Sequence, residues 1–439
     1  MDIINGLYKN SHGQPMLCKV ITKSAPISLN ALCIDHGFTN PFTDTGKSET
    51  LYNKKTEIDE HGELFNKYRS LTNPYELVAT QSRKFPSATN ISVVSRAYFK
   101  LWEILSKIDG LLPDEPIIYT ALAEAPGGFV QSVLQFRMKQ LGRRLHDTIY
   151  SITLNTGNGL EMKWAALWRR QFKINYGDPS FNDGDLLNPY NIIAFVHRVN
   201  LNRCLATTRT KPTQELINIL LQNRRSAFTT ADGGTCVPIG IENYQEQMHF
   251  PLFFNEILTA LMVQKNGGSF ILKIYDMFTL PTIQIIAILT QLYDTVYITK
   301  PLTSRPANSE RYIVCKGFKG DKAPEYQKII YQMINISFSM YDHKINITGA
   351  QTNFYVRSIS KDPLNPQFID QVRTINNNII DHQLTYIDAT LQLMRCVSQQ
   401  HIKKRMYTYI KLKEQIIKEQ LDIGREWCID HNIEPFNKI

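Results

Sequence analysis

Four short segments of the chain place chemically capable residues where structural ones would be expected. The first is Ala121 to Phe129 (ALAEAPGGF), which follows the apolar run Pro116 to Leu122 and precedes a stretch with one apolar face. Gly127 and Gly128 would let a backbone pass close to a ligand, and a helix starting there would offer free N–H groups. The G-x-G-x-x-G pattern of a dinucleotide site is absent, and a Pro-Gly-Gly turn suits a ligand carrying a carboxylate rather than a pyrophosphate. A tight structural turn explains the segment nearly as well. The second, Thr230 to Gly234 (TADGG), ends an apolar run on Asp232 followed by two glycines; a turn-capping Asp is its ordinary explanation. In the third, Phe270 to Asp276 (FILKIYD), Lys273 interrupts an apolar strand. A lysine is costly to bury unpaired, so it lies either in solvent or in a site, where burial could lower its pKa and make it a base. The fourth, Lys300 to Arg311 (KPLTSRPANSER), is a donor-rich loop with one carboxylate, Glu310.

Read jointly, these segments end successive strands of one sheet. Asp232, Lys273 and Glu310 would then meet in one crevice, with Lys100 joining from the preceding helix. Two lysines and two carboxylates can remove a proton from a poor acid: one lysine is kept neutral, and the carboxylates orient it and balance charge.

The elements that must position these residues follow from periodicity. Ser95–Ile108, Gly128–Leu141 and Leu252–Gln264 read as helices, and Pro116–Leu122, Thr148–Leu154, Ala227–Ala231, Ser269–Tyr275, Thr295–Thr299 and Arg311–Lys316 as strands. Alternating strands and helices predict an α/β domain with a mostly parallel sheet covered on both faces, whose ligands bind beyond the carboxyl ends of the strands. This domain spans residues 86–320. Residues 1–85, punctuated by Pro, Asn, Gly and Thr, read as a loosely structured N-terminal extension with a few helices or strands. Residues 321–439 read as a helical region, with a seam at Ile380, Leu384, Ile387, Leu391 and Met394 and a basic cluster at Lys403, Lys404 and Arg405 that could touch RNA, a solvated charged face being the more frequent explanation.

With 43% hydrophobic and 20% charged residues, the composition excludes a disordered chain. The net charge of +9 favours a polyanionic partner such as nucleic acid. Cysteines at 18, 33, 204, 236, 315, 396 and 428 show no C-x-x-C pair and read as reduced thiols, mostly in cores, of a cytosolic-type compartment. No zinc spacing, secretory signal or membrane-spanning run is present, so neither a metal nor a membrane is expected.

The residues that carry the chemistry resemble the FtsJ-type ribose methyltransferases, and within them the eukaryotic and viral cap-specific mRNA nucleoside-2′-O-methyltransferases. The family's Lys-Asp-Lys-Glu tetrad is matched by Lys100, Asp232, Lys273 and Glu310. The cap-enzyme group is matched by NPYE at Asn73 to Glu76 with Arg69 before it, NDGDLLNP at Asn182 to Pro189, ENYQE at Glu242 to Glu246, and KPLTSRPANSERYIVCKGF from Lys300 to Phe318. The resemblance covers roughly residues 65 to 320. It implies a Rossmann-like class I S-adenosylmethionine-dependent methyltransferase fold with a C-terminal helical extension. It also implies 2′-O-methylation of the first transcribed nucleotide of capped mRNA, with S-adenosyl-L-methionine as cofactor and no metal. In that mechanism Lys273 is the base, Lys100 and Glu310 position it and the ribose, and Asp232 lies between donor and Lys273. Ser95, Ala123, Glu124, Ala125, Pro126, Gly127, Gly128, Phe129, Asp185 and Leu186 would line the cofactor pocket. Arg69, Asn243, Gln245, Arg305 and Asn308 would lie along the capped RNA. Many relatives have Asp where this chain has Ala121, which makes Glu124 the candidate replacement. Capped mRNA and other capping enzymes are the implied partners, in the cytoplasm for a viral protein or the nucleus for a cellular one. A structural-RNA 2′-O-methyltransferase and a catalytically decayed RNA-binding subunit of a capping complex are the alternatives.

Overall fold

The computed structural model describes residues 8, 16–20, 22–24, 26–42, 46–59, 61–78, 87–142, 146–156, 172–207, 209–234, 237–238, 240–346, 354–398 and 402–436. The strands are β1 (Met16–Val20), β2 (Cys33–Asp35), β3 (Ile118–Leu122), β4 (Thr148–Ile152), β5 (Phe172–Asn175), β6 (Ser226–Ala231), β7 (Gln264–Tyr275), β8 (Tyr293–Lys300), β9 (Glu310–Phe318) and β10 (Tyr355–Ser358). The helices are α1 (Lys47–Asp59), α2 (Gly62–Tyr68), α3 (Ala97–Lys107), α4 (Gly128–Leu141), α5 (Pro189–Leu201), α6 (Gln214–Gln222), α7 (Gln245–Val263), α8 (Leu280–Leu292), α9 (Tyr326–Asn346), α10 (Pro366–Ser398) and α11 (Ile402–Asp430).

Eight strands form one sheet in the order β1-β8-β9-β7-β6-β3-β4-β5. Strands β3 to β8 run in one direction, and β9 and β1 run against them. β3 pairs on one side with β4 (Ala121 opposite Ser151) and on the other with β6 (Ala121 opposite Thr230). Strand order therefore reverses between β3 and β6, where such sheets open a ligand crevice at their carboxyl ends.

Side chains alternate across the sheet because a strand has period two. Along β7, Phe270, Leu272 and Ile274 join one core cluster with α5 to α9, whereas Ile271 joins the other with α3 and α4. Lys273 and Tyr275 share the face of Ile271, the face on which α3 carries Lys100. Register thus decides which of the four candidate residues can meet.

The two ends of the chain do not stand apart from the α/β domain. β1 is the edge strand of the main sheet, paired with β8, and β2 pairs with β10 in a second, two-stranded sheet. Leu51, Phe65, Tyr68 and Leu71 share a third core with Ile387, Leu391, Leu412, Ile416 and Trp427, and with Tyr98 and Trp102 of α3. The few helices or strands expected before residue 85 are present as β1, β2, α1 and α2, but the described part is not loosely attached: long-range pairing, invisible to local propensity, ties it to the rest of the chain. The seam Ile380–Met394 does face a core, while the side chains of Lys403, Lys404 and Arg405 lie outside the described residues.

Several other boundaries move. α7 begins at Gln245 rather than Leu252, carrying Pro251 within it; proline locally signals a helix break, which long-range packing overrides here. β5, α5 and α6 were not anticipated. Cys315 and Cys428 are buried, but Cys33, Cys204 and Cys396 are exposed, so the cysteines described are not mostly core residues.

Candidate active site

The carboxyl ends of β6 and β7, the amino end of β9 and one face of α3 bring the four residues of the tetrad together as two ion pairs. Lys100 Nζ lies 2.7 Å from Glu310 Oε1 and 2.8 Å from Oε2. Lys273 Nζ lies 3.0 Å from Asp232 Oδ1 and donates to the Asp232 backbone carbonyl at 2.8 Å. Asp232 follows β6 directly, and its N–H donates to Leu122 O at the end of β3, fixing it at the reversal point. Glu310 also accepts from Ser304 Oγ (2.9 Å) and the Tyr312 hydroxyl (3.1 Å). Burial opposes its charge, but Lys100, then Lys273, bring its pKa down to about 2.

The state of Lys273 corrects an expectation. Burial by itself disfavours the ammonium, yet Asp232, then Tyr275 and Glu310, outweigh it and hold the Lys273 proton more tightly than in an ordinary lysine. A carboxylate at hydrogen-bond distance thus favours the ammonium form of Lys273 against the desolvation that disfavours it.

The turn between β3 and α4 packs against the end of β4: Ala123 N–H donates to Ile152 O and Ala125 N–H to Thr153 Oγ1. The Asp183–Leu186 loop lies alongside, with Asn155 N–H donating to Asp183 O. Asp185 accepts from Leu187 N–H at 2.8 Å and meets Lys344 of α9 at 3.2 Å. The Leu186 side chain belongs to the main core, and its carbonyl accepts from Asn255. Gly128 also has a packing role. A Cβ there would collide with Ser95 Oγ and lie 3.1 Å from both the Ala97 Cβ and the Tyr98 N, so the contact of α4 with the residues that open α3 by itself requires glycine. Phe129 is likewise a fully buried core residue. Its N–H, with that of Val130, donates to Glu124 Oε1 at 2.7 and 3.1 Å, so Glu124 caps α4.

The candidate RNA residues fall into three places. Glu76 receives Arg305 (3.0 Å), Arg96 (2.7 Å) and Asn73 (2.6 Å), joining the NPYE segment to the SRPANSER loop. Arg69 lies close enough to feel the charges of all three of Glu76, Arg96 and Arg305, and makes no ion pair among the described residues. Asn308 turns inward: its backbone and side-chain carbonyls, with the Glu310 carbonyl, each accept from Lys300 Nζ at 2.8 Å. Asn243 donates to Tyr52 O of α1, and Gln245 opens α7; no contact among the described residues joins either to the arginine cluster.

Sequence reasoning missed the supports of this site. Glu103 of α3 accepts from the N–H groups of Leu302 and Thr303, and burial raises its pKa to about 7. Lys55 of α1 donates to Ser309 Oγ at 2.9 Å and lies 3.3 Å from Asp276 Oδ2, while Arg311 meets Asp276 Oδ1 at 2.6 Å. Lys300 opens the Lys300 to Arg311 segment, and its position at an apolar strand end is the one available signal. Lys55 and Glu103 sit on helices whose sequence gives no such sign.

Comparison with known proteins shows the family. A family model described as FtsJ-like methyltransferase matches residues 93–318. The cap-specific mRNA (nucleoside-2′-O-)-methyltransferase 1 of Danio rerio is 31% identical over 320 residues, which cover 69% of this chain and 35% of that protein. The protein of the same name from Trypanosoma cruzi is 29% identical over 296 residues, covering 65% of this chain and 72% of that one. The chain thus spans about a third of the length of the first relative. A solved structure of a putative ribosomal RNA methyltransferase from Plasmodium falciparum aligns over 52% of this chain and 98% of its own, at 20% identity, but with a TM-score of 0.33 the likeness is too loose to define the fold. On the match of residues 93–318, just over half its length, the chain belongs to the FtsJ-like methyltransferase family.

Proposed function

We propose that this protein transfers a methyl group from S-adenosyl-L-methionine to the ribose 2′-hydroxyl of the first transcribed nucleotide of capped mRNA. The observation that carries the reading is the pairing of Lys100 with Glu310 and of Lys273 with Asp232 in one crevice beside the 121–129 turn. The residues around that turn fit a cationic donor. Glu124 Oε2 is buried without a hydrogen-bond partner, and burial, then the nearby Asp232, raises the Glu124 pKa well above that of an ordinary carboxyl. Protonation of Glu124 relieves such a pair, and so would a further positive neighbour. The turn, Glu124, Asp232 and Asp185 would hold the donor, which supplies an electrophilic methyl.

The chain's own residues then position an acceptor and take its proton. A ribose hydroxyl is a poor acid, so its proton must pass to a base as its oxygen forms the new bond. Lys273 accepts that proton at Nζ. Asp232, once shared between Lys273 and a cationic donor, holds the Lys273 proton less tightly, and this is how a lysine that is otherwise charged becomes a base. Glu310, anchored by Lys100, Ser304 and Tyr312, faces the same crevice with a fixed charge that orients Lys273. Arg69, Arg96 and Arg305, three cations around the single Glu76, form the positive rim that a phosphate backbone requires.

The test is methyl incorporation into a short RNA with and without a methylated guanosine cap, with nuclease mapping of the product. Modification of the first nucleotide of capped RNA, and much slower reaction of uncapped RNA at near-physiological salt, is the expected result. Equal rates, or modification only of internal riboses in folded RNA, would give the substrate to the structural-RNA reading; no transfer to either would leave an RNA-binding subunit.

A further inference from the structure

Glu256, on α7, belongs to none of the motifs noted in the sequence and carries none of the roles assigned above. It is 1% exposed, on a helix whose buried residues include Phe253, Phe254, Ile257 and Ala260. A carboxyl group is among the costliest groups to bury without a partner. Its partner is a peptide. Glu256 Oε1 accepts from the Gly233 N–H at 3.1 Å, and Lys273 Nζ donates to the Asp232 carbonyl at 2.8 Å. That carbonyl and that N–H belong to one planar trans unit, so they point in opposite directions. The Asp232–Gly233 peptide is therefore gripped from both sides, by an ammonium on its oxygen and a carboxyl group on its nitrogen. Glycine at 233 makes the grip possible: a Cβ there would collide with Glu256 Oε1 and lie 3.0 Å from Leu252 Cδ2.

We propose that Glu256 is a positioning residue for methyl transfer, holding the Asp232–Gly233 peptide in the orientation that receives Lys273 and coupling its own charge to that of Lys273 through this peptide. The proposal rests on the assignment of Lys273 as the base. A carboxylate at the N–H polarises the peptide and makes its carbonyl a stronger acceptor for an ammonium, as hydrogen bonds in a chain reinforce one another. With Glu256 neutral, the carbonyl is a weaker acceptor and Lys273 gives up its proton more readily. The titratable groups that face the pair are Asp232 after β6, Glu124 in the turn before α4, Lys273 and Tyr275 of β7, and Glu310 of β9, which Lys100 of α3 pairs. Burial, opposed by Lys273 and aided by Asp232, pushes Glu256 up to about 8, so its charge changes near neutral pH.

Two measurements on the full chain test this. The first needs no activity: the carboxyl carbon of Glu256 is followed by NMR in protein labelled at glutamate, with Glu256→Gln to assign the signal. Glu256 is expected to titrate near neutrality or above, to move upward in Lys273→Met and to move downward in Asp232→Asn. An ordinary glutamate midpoint, or no movement in either variant, overturns the coupling. The second is the pH dependence of kcat/KM. Glu256→Gln keeps a carbonyl for the Gly233 N–H but removes the charge, so the acid limb is expected to shift to lower pH while KM for RNA changes by less than about twofold. A loss of rate at every pH with the limb unmoved would show a structural role only and overturn the proposal. Absence of methyl transfer in the unaltered protein would instead reject the base assignment, and the NMR titrations would distinguish that failure from this one.

Discussion

Lys273 and Asp232 are joined twice, through the carboxylate at 3.0 Å and through the backbone carbonyl of the same residue at 2.8 Å. The side-chain contact is one that a cationic methyl donor can compete for, whereas the backbone contact stays in place and keeps Nζ aimed. Lys273→Ala is expected to lower methyl transfer by on the order of 10²–10⁴-fold, the usual contribution of a general base, with S-adenosyl-L-methionine binding by calorimetry nearly unchanged. Substantial residual turnover would remove Lys273 from the mechanism. Because Asp232 raises the proton affinity of Lys273, any residual activity of Asp232→Asn should show its acid limb at lower pH than the parent enzyme.

Gly128→Val should damage folding before it damages cofactor binding. The added atoms meet Ser95 and the backbone N of Tyr98, and overpacking of this kind costs about 1–3 kcal/mol. Gly128→Ala is expected to lower the thermal midpoint, and Ser95→Ala in the same chain to restore part of it by removing the hydroxyl in the way. Normal stability of Gly128→Ala alone would show that the two helices do not meet as described.

Arg69 is the cation of the arginine cluster without an ion pair among the described residues, so its loss should be felt by RNA more than by the fold. Arg69→Ala is expected to reduce the slope of log affinity against log salt by about 0.7, the value of one phosphate contact on a single strand. Thermal stability should change little. An unaltered salt slope would place the RNA backbone elsewhere.

Glu76 links the NPYE segment to the SRPANSER loop, and this link has a pH signature. Burial opposes its charge, but Arg305 and Arg96 hold its pKa at about 2 against an ordinary 4.5. A depressed carboxylate contributes stability that is fully present above about pH 4.5 and is lost as pH falls towards about 2. Thermal melts across that window should show Glu76→Gln losing less stability on acidification than the parent chain. Parallel curves for the two proteins would show that the arginines do not hold the Glu76 charge.

Much of the catalytic domain was legible in the sequence. The mostly apolar runs at Pro116–Leu122, Ala227–Ala231 and Ser269–Tyr275 each lie on a central strand, because strands buried on both faces are nearly continuously apolar. Polar residues that end or interrupt such runs, Asp232 and Lys273 above all, stand out against that background. Local pattern also placed Gly127 and Gly128 at a strand-to-helix turn. What only the tertiary structure decided is which atoms meet across long separations. Glu256 beneath the Asp232–Gly233 peptide, Lys55 on Ser309, Glu103 on Leu302 and Thr303, and β1 along β8 join residues far apart in the chain, and no periodicity encodes such partners. Nor could the sequence assign the charge of Lys273. Burial and a neighbouring carboxylate push its proton affinity in opposite directions, and the balance is set by the distance to Asp232, which exists only in the folded chain.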